Sequence, residues 1–150
     1  MTLYYLETSA LVKLYVYEPG TERLVSLTAS DTGNRFAILS LAQVEFRSAI
    51  RRQQRGGEIS RSEADVLIDS FRQHSEGRFL VQPFTESLLD VALALLDGYP
   101  LRGFDAVQLA GYLMLRSVSG VEEPVFVCAD KALLSAARNE GYPILDPSSP

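Results

Sequence analysis

The chain has 150 residues, of which 47% are hydrophobic and 22% are charged, and its mean hydropathy is +0.05. A chain of this length and composition buries a core of its own, which excludes disordered, collagen-like and fibrous proteins. Its 19 acidic and 14 basic residues give a net charge of -5, so a nucleic-acid-binding field over the whole surface is not expected. All but two of the basic residues are Arg, however, and several of these crowd into residues 47–61.

The sequence shows no signal for export or membrane insertion. No apolar run approaches the roughly 20 residues that a membrane span needs, and the first residues lack the basic segment of a secretion signal. One cysteine, Cys128, cannot form an intramolecular disulfide, and no Cys and His set has zinc-ligand spacing. We therefore expect a cytoplasmic protein without membrane contact, forming a single domain over residues 1–150 with a frayed tail at 147–150.

Apolar runs and helix caps predict the elements of the first half of the chain. Their predicted order is a strand at 3–6, a helix at 10–16, a helix at 21–30, a strand at 36–39, a helix ending near 55 and a helix ending near 75. Thr8 or Ser9 is expected to cap the first helix. Capping boxes at 40–43 and 60–63 are expected to begin the third and fourth helices.

The second half of the chain continues the same alternation. The predicted order is a strand at 79–81, a helix at 86–97, a helix at 105–117, a strand at 125–128, a helix at 131–140 and a strand at 144–145. Strands that alternate with helices predict a short, mostly parallel sheet covered on both faces. The expected fold class is therefore α/β, with three layers in the order α/β/α.

Four acidic residues fall where the predicted strands end and helices begin: Glu7, Glu45, Asp105 and Asp130. Each one alone also suits a helix N-terminus, where capping and the helix dipole favour acids. Their coincidence at one edge of the sheet favours a site, because ligands of parallel sheets bind beyond the carboxyl ends of the strands. Two carboxylates about 4 Å apart repel by roughly 4 kcal/mol near a protein surface, and oxygen ligands suit Mg²⁺ or Mn²⁺.

Four blocks of sequence, in order, carry a resemblance to a known family. They are YLETSALVKLY at 5–15, VEFRSA at 44–49, LRGFDAVQLA at 101–110 and ADKALL at 129–134. Together they resemble the acidic blocks of PIN domains of the VapC-type toxin class, and they span nearly the whole chain. The resemblance implies a metal-dependent endoribonuclease that hydrolyses RNA and is held inactive by a small cognate antitoxin in a type II toxin–antitoxin pair.

The resemblance also implies roles for individual residues. Glu7, Glu45, Asp105 and Asp130 become the catalytic metal ligands, Mg²⁺ the expected cofactor with Mn²⁺ as a second choice, and Ser9 the pocket hydroxyl. The family ordinarily has Asp at its first acidic position, whereas position 7 is Glu, one methylene longer. That difference leaves open an alternative function, a catalytically weakened PIN-like protein that binds RNA or its antitoxin.

Two helical surfaces are candidates for partner binding. Arg47, Arg51 and Arg55 recur every four residues, which aligns them on one helix face as a ridge for RNA phosphates or as an ordinary solvated face. Residues 88–96 are apolar almost all round, and 112–115 add a second apolar surface. These surfaces suit a homodimer, an antitoxin groove or simply a large core.

A receiver-like phospho-acceptor domain is a further fold with acids at strand ends. The third predicted strand, however, is followed by Gln82 and Pro83, where such a domain would carry its acceptor Asp. The sequence therefore favours the PIN-like interpretation.

Overall fold

A computed structural model describes residues 1–120 and 122–150. Its centre is a five-stranded sheet in the order β3-β2-β1-β4-β5, and every neighbouring pair of strands is parallel. The strands are β1 (Leu3–Leu6), β2 (Arg35–Leu39), β3 (Phe79–Gln82), β4 (Val125–Val127) and β5 (Ile144–Leu145). The predicted parallel α/β fold is confirmed.

Seven α-helices connect and cover the strands within the described part of the chain. They are α1 (Thr8–Leu11), α2 (Thr21–Leu27), α3 (Ala42–Arg55), α4 (Arg61–Gly77), α5 (Glu86–Gly98), α6 (Gly103–Val118) and α7 (Lys131–Asn139). Short 3-10 turns follow α1 at Val12–Leu14 and α2 at Ser30–Thr32. No helix of the described residues is both long enough and apolar enough to cross a membrane.

The sheet separates two apolar cores because successive side chains of a strand point to opposite faces. Tyr5 and Phe126 lie in the core that α5, α6 and α7 cover. Leu6, Ile38 and Val127 lie in the core on the opposite face, with side chains from α1 to α4. The three-layer α/β/α arrangement predicted from the sequence is therefore present.

The strand order determines where a site forms. β1 lies between β2 and β4, so the chain enters the sheet at its centre, adds β2 and β3 on one side, and then crosses to β4 and β5 on the other. The carboxyl ends of β1 and β4 flank the point where this order reverses, the usual position of a crevice in such sheets. Helices α1 and α7 begin just beyond these two strand ends.

Three local predictions near helix ends are wrong. Glu7, and not Thr8 or Ser9, caps α1, because its side chain reaches forward and accepts a hydrogen bond from the Ser9 amide. Ser40 does not cap α3, since its own amide donates to the Gln82 carbonyl at 2.8 Å and so extends the strand ladder. The second helix ends at residue 27 and not 30.

The start of α4 and the C-terminal tail concern two further predictions from the sequence. The Ser60–Glu63 capping box at the start of α4 is confirmed, with both of its hydrogen bonds present. The fraying of residues 147–150 stays a prediction. In the structure the Arg23 guanidinium donates to the Ser149 carbonyl at 2.9 Å, which attaches this tail to α2.

Candidate active site

A cleft of about 600 Å³ opens at the carboxyl edge of the sheet, beside the ends of β1 and β4. The structure brings together in it all four of the predicted acids and the predicted pocket hydroxyl: Glu7, Glu45, Asp105, Asp130 and Ser9. They come from four separate elements, the start of α1, α3, α6 and the start of α7. We call this space the acid cleft.

Glu7 lies at the bottom of the acid cleft and is only 5% exposed. Its Oε2 accepts hydrogen bonds from the Ser9 amide at 2.9 Å and from the Ser9 hydroxyl. The Cys128 thiol donates to the same oxygen at 3.4 Å. Burial raises the pKa of Glu7, the Ser9 hydrogen bonds partly offset this, and the nearby Glu45 carboxylate raises it further.

Ser9 joins two of the elements that form the acid cleft. Its hydroxyl accepts a hydrogen bond from the Ala129 amide at 2.9 Å, just after β4, while it donates to Glu7 at the end of β1. The side chain therefore fixes the β1 end against the β4 end. This contact is structural, and the role of Ser9 toward a ligand stays a prediction.

Glu45 is held by a buried polar network that the sequence analysis missed. Its Oε1 accepts from Thr8 Oγ1 at 3.0 Å and from Gln108 Nε2 at 2.6 Å. Gln108 is completely buried, and its Oε1 accepts from the Tyr5 hydroxyl at 2.8 Å. Burial raises the pKa of Glu45, these hydrogen bonds lower it in part, and Asp105 raises it again.

The other two acids share a cation supplied by the chain. Arg102 Nε donates to Asp105 Oδ2 at 3.1 Å, and Arg102 Nη2 lies 3.8 Å from Asp130 Oδ2. Asp130 also caps α7 by accepting from the Leu133 amide at 2.9 Å. The Arg102 side chain is 82% exposed, and its guanidinium lies by the two aspartates at the mouth of the acid cleft.

The donor set of the acid cleft fits a hard divalent cation. Among the described residues, each of the four carboxylates has one oxygen that accepts no protein hydrogen bond, and these oxygens are not sealed from solvent. Oxygen ligands of this kind are those that Mg²⁺ and Mn²⁺ prefer. Within residues 1–120 and 122–150, however, no three acidic, His or Cys side chains are arranged to hold one ion. Binding one ion between them therefore requires some of these side chains to move, while the hydrogen bonds of Ser9 and Gln108 to the opposite oxygens of Glu7 and Glu45 can stay in place.

The predicted arginine ridge lies beside the acid cleft and not inside it. Arg47, Arg51 and Arg55 line a neighbouring groove of about 530 Å³ on α3. Arg51 is paired there with Asp65 at 2.8 Å, which reduces its availability to a ligand. The α3 arginine that lines the acid cleft is Arg52, seven residues and about two helical turns after Glu45.

The residues that the sequence analysis missed share a helical spacing with one that it found. Arg102 lies three residues before Asp105 and Gln108 three residues after it, so each is a near neighbour of Asp105 along α6. The two residues could therefore be proposed as neighbours of Asp105 from the sequence, whereas the contact of Gln108 with Glu45 could not. Thr8 gives no comparable signal, because a threonine at a helix start is ordinary.

The sequence is similar to that of a known ribonuclease over nearly its whole length. The sequence is 31% identical over 147 residues to Ribonuclease VapC47 of Mycobacterium tuberculosis, an alignment that covers 97% of each chain. No protein-family model matches the sequence.

Two solved structures are similar to the fold at low sequence identity. A toxin–antitoxin complex from Klebsiella pneumoniae matches with a TM-score of 0.65 and 12% identity, covering 96% of this chain and 97% of the other. VapBC2 from Rickettsia felis, solved bound to a promoter DNA fragment, matches with a TM-score of 0.64 and 13% identity, covering 96% and 98%. At these identities the two structures support the fold.

Proposed function

This chain belongs to the VapC family of PIN-domain ribonuclease toxins, and we propose that it is a Mg²⁺-dependent endoribonuclease whose active site is the acid cleft. One observation carries the proposal: four carboxylates from four elements line a single cleft, and each has an oxygen available to a ligand. Like charges are brought together in this way when a cation compensates them. Mn²⁺ has the same ligand preferences and is the second choice.

The four acids divide into two pairs by the way the chain holds them. Glu7 is buried, Glu45 is half-buried, and both are fixed by hydrogen bonds to Ser9, Thr8 and Gln108, so they provide a rigid side of the metal site. Asp105 and Asp130 lie nearer the mouth and are paired with the exposed Arg102. These four carboxylates would hold a divalent cation, which would supply Lewis-acid activation of the scissile phosphate and of an attacking water.

The basic residues around the acid cleft provide for an anionic substrate despite the net charge of the chain. Arg52 and Arg102 line the cleft itself, and Arg47, Arg51 and Arg55 line the adjoining groove on α3. One guanidinium group can donate two hydrogen bonds to a phosphate at once, and its positive charge attracts a phosphodiester that the carboxylates alone would repel. We assign Arg52 and Arg102 to the phosphates nearest the cut, and the groove to more distant ones.

A second candidate function follows from the contacts of Glu7. Its Oε2 is already occupied by the Ser9 amide, the Ser9 hydroxyl and the Cys128 thiol. An acid that caps α1 in this way is a poorer metal ligand than one that points only into the cleft. The alternative is therefore a PIN-domain protein that binds RNA or its antitoxin with little or no cleavage.

Calorimetric titration with Mn²⁺ and Mg²⁺ tests the metal site. The parent chain is compared with Asp105→Asn, with Glu7→Asp, and with Asp90→Asn as a matched control, because Asp90 lies exposed on α5 outside the acid cleft. We expect Asp105→Asn to lose metal binding and Asp90→Asn to retain it. Absence of binding by every variant would contradict the metallonuclease proposal.

Cleavage of RNA on denaturing gels, with and without EDTA, separates the two candidate functions. The proposed nuclease cuts RNA in Mg²⁺ or Mn²⁺ and loses this activity in EDTA. The alternative is supported if the parent binds RNA without cutting it and Glu7→Asp restores both metal binding and cleavage.

Three further proposals concern the partners and the location of the protein, and its relatives support the first of them. We propose a small cognate antitoxin as the protein partner, since the structural relatives include toxin–antitoxin complexes. We also propose a homodimer, because Leu89, Leu93 and Leu96 form an exposed apolar stripe on α5. The free, buried Cys128 suits the cytoplasm, where we place the protein.

A further inference from the structure

Gln108 is a polar side chain in an otherwise apolar part of the core. It is completely buried on α6, beside the equally buried Leu109. A buried amide loses its hydrogen bonds to water and must replace them within the protein. The side chain does so with three hydrogen bonds, to Tyr5, Thr8 and Glu45. These bonds, and not packing, account for an amide at this position.

The hydrogen bonds around Gln108 have a single direction. Its Nε2 donates to Glu45 Oε1 at 2.6 Å and to Thr8 Oγ1 at 3.0 Å, which uses both amide hydrogens. Thr8 Oγ1 in turn donates its one proton to Glu45 Oε1 at 3.0 Å. The Tyr5 hydroxyl donates to Gln108 Oε1 at 2.8 Å. A flipped amide would bring two acceptor oxygens together at Glu45, so the network has one favourable arrangement.

Thr8, Glu45 and Gln108 form a closed triangle of hydrogen bonds, which we call the hydrogen-bond triangle. Each member comes from a different element that carries an acid of the cleft. Thr8 follows Glu7 at the start of α1, Glu45 itself lies on α3, and Gln108 lies three residues after Asp105 on α6. The triangle therefore holds three of the four acid-bearing positions relative to each other. Both bonds to Glu45 end on Oε1, which leaves its Oε2 for the cleft.

We propose that Gln108 is a positioning residue that makes the acid cleft selective for Mg²⁺ over the larger Ca²⁺. The inference rests on the proposed function and assigns the ion selectivity of the same site. Mg²⁺ requires nearly octahedral oxygen ligands at about 2.0–2.1 Å, whereas Ca²⁺ accepts a flexible set at about 2.3–2.6 Å. Elements held at fixed separations allow their carboxylates to meet the stricter geometry. Loosening the hydrogen-bond triangle should therefore weaken Mg²⁺ binding more than Ca²⁺ binding.

Calorimetric titrations with Mg²⁺ and with Ca²⁺ test the proposal on three variants and the parent chain. Gln108→Met keeps the length of the side chain but removes its hydrogen bonds. Tyr5→Phe removes one hydroxyl and leaves Gln108 Oε1 without its donor. Tyr112→Phe is the matched control, because Tyr112 is also completely buried and its hydroxyl donates one hydrogen bond, to the Pro124 carbonyl at 2.7 Å, outside the acid cleft. Thermal melting of each variant verifies that it is folded.

We expect Gln108→Met to weaken Mg²⁺ binding about tenfold to a hundredfold, the usual loss when a metal ligand loses its hydrogen-bond partner. Ca²⁺ binding should weaken by about threefold or less, because this ion tolerates displaced ligands. Tyr5→Phe should lower the selectivity for Mg²⁺ about threefold, since one hydrogen bond of the network is lost. Tyr112→Phe should leave both affinities unchanged.

Cleavage kinetics give a second measurement that a purely structural role would not change. At saturating Mg²⁺, Gln108→Met should lower kcat for RNA cleavage and leave KM for RNA unchanged, because the buried amide does not touch the substrate. A variant that is only less stable, but folded, would keep both values.

The possible results separate this inference from the proposed function. If Gln108→Met binds Mg²⁺ like the parent, or loses affinity for Mg²⁺ and Ca²⁺ equally, the positioning role is wrong while the proposed metal site stands. If Gln108→Met does not fold, the comparison of Tyr5→Phe with Tyr112→Phe decides, and unchanged selectivity in Tyr5→Phe overturns the proposal. A parent without preference for Mg²⁺ over Ca²⁺ also overturns it. If the parent binds no divalent cation and cuts no RNA, the proposed function fails and the inference fails with it.

Discussion

Glu7 and Glu45 hold their protons more tightly in the folded protein than in the unfolded chain. Burial is the main cause of the raised pKa of both carboxyls, and their proximity to other acids adds to it. The folded state therefore binds more protons than the unfolded state at pH values between the ordinary pKa of Glu, about 4.3, and the raised pKa. Stability from these groups is fully present below that range and decreases as the pH rises through it.

Glu7→Gln should consequently increase the free energy of unfolding near neutral pH. The amide oxygen can still accept from the Ser9 amide, but no buried charge remains. The gain should shrink as the pH falls to about 3, where Glu7 is protonated in both states. Urea denaturation of both proteins at the two pH values measures the difference. A gain that is equal at both pH values would contradict the assignment of the effect to ionisation.

Arg102 competes with any external cation for Asp105 and Asp130, because its guanidinium lies between them. Arg102→Gln should therefore tighten Mn²⁺ binding by only about twofold to fivefold, because ion pairs of an exposed guanidinium are weak. Calorimetric titration measures the change, and Arg138→Gln, an arginine outside the acid cleft, is the control. Weaker Mn²⁺ binding in Arg102→Gln would show that the guanidinium assists the site and does not compete for it.

Among the elements, α6 links the mouth of the acid cleft to the polar network beneath it. Arg102, Asp105, Gln108 and Gly111 are three residues apart, and because each step of three falls about 60° short of a full turn, their positions wind around the helix from the cleft mouth to β1. The first two act at the cleft mouth and the third holds Glu45. Gly111 is the position where a side chain would collide with the Tyr5 hydroxyl, which donates to Gln108. The polar network and the close packing of α6 on β1 therefore depend on each other.

Gly111→Ala tests this dependence. Alanine favours a helix over glycine by about 1 kcal/mol, but its methyl group would displace the Tyr5 hydroxyl. We expect a net destabilisation of about 1–3 kcal/mol, typical of overpacking. Gly77→Ala in α4, which meets open space, is the control and should be neutral or stabilising. Chemical denaturation measures both, and unchanged stability in Gly111→Ala would mean that Tyr5 and α6 separate at little cost.

The same elements show what the sequence predicts and what it does not. Strands and helices follow from local periodicity, and the four acids follow from their positions at strand ends, so both were predictable. The partner of each acid depends on which helices meet over the sheet. Gln108 reaches Glu45 across 63 positions of sequence, and Ser40 loses its cap to a ladder bond with Gln82. Such long-range contacts have no local pattern, which is why these details were missed or wrong.

At the scale of the whole molecule, α5 leaves an apolar stripe uncovered. Leu89, Leu93 and Leu96 are spaced by four and three residues and are all exposed, whereas Leu88 and Leu95 of the same helix are buried in the core. Helix α5, predicted to be apolar almost all round, therefore buries one of its faces in the core and leaves the other face exposed. The second predicted surface, at 112–115, is largely used up, because Tyr112 and Leu115 are core residues.

Leu93→Glu tests whether this stripe joins two copies of the chain. Leu93 is its most exposed member, and a stable dimer needs about 800 Å² from each partner, with an apolar centre that cannot accept an unpaired carboxylate. In sedimentation experiments we expect the parent at twice the 16.6 kDa chain mass and Leu93→Glu at the chain mass itself. Val66→Glu is the control, since Val66 is at least as exposed on α4, beyond the other face of the sheet. Dissociation by Val66→Glu and not by Leu93→Glu would move the dimer interface to α4, and a monomeric parent would exclude a homodimer altogether.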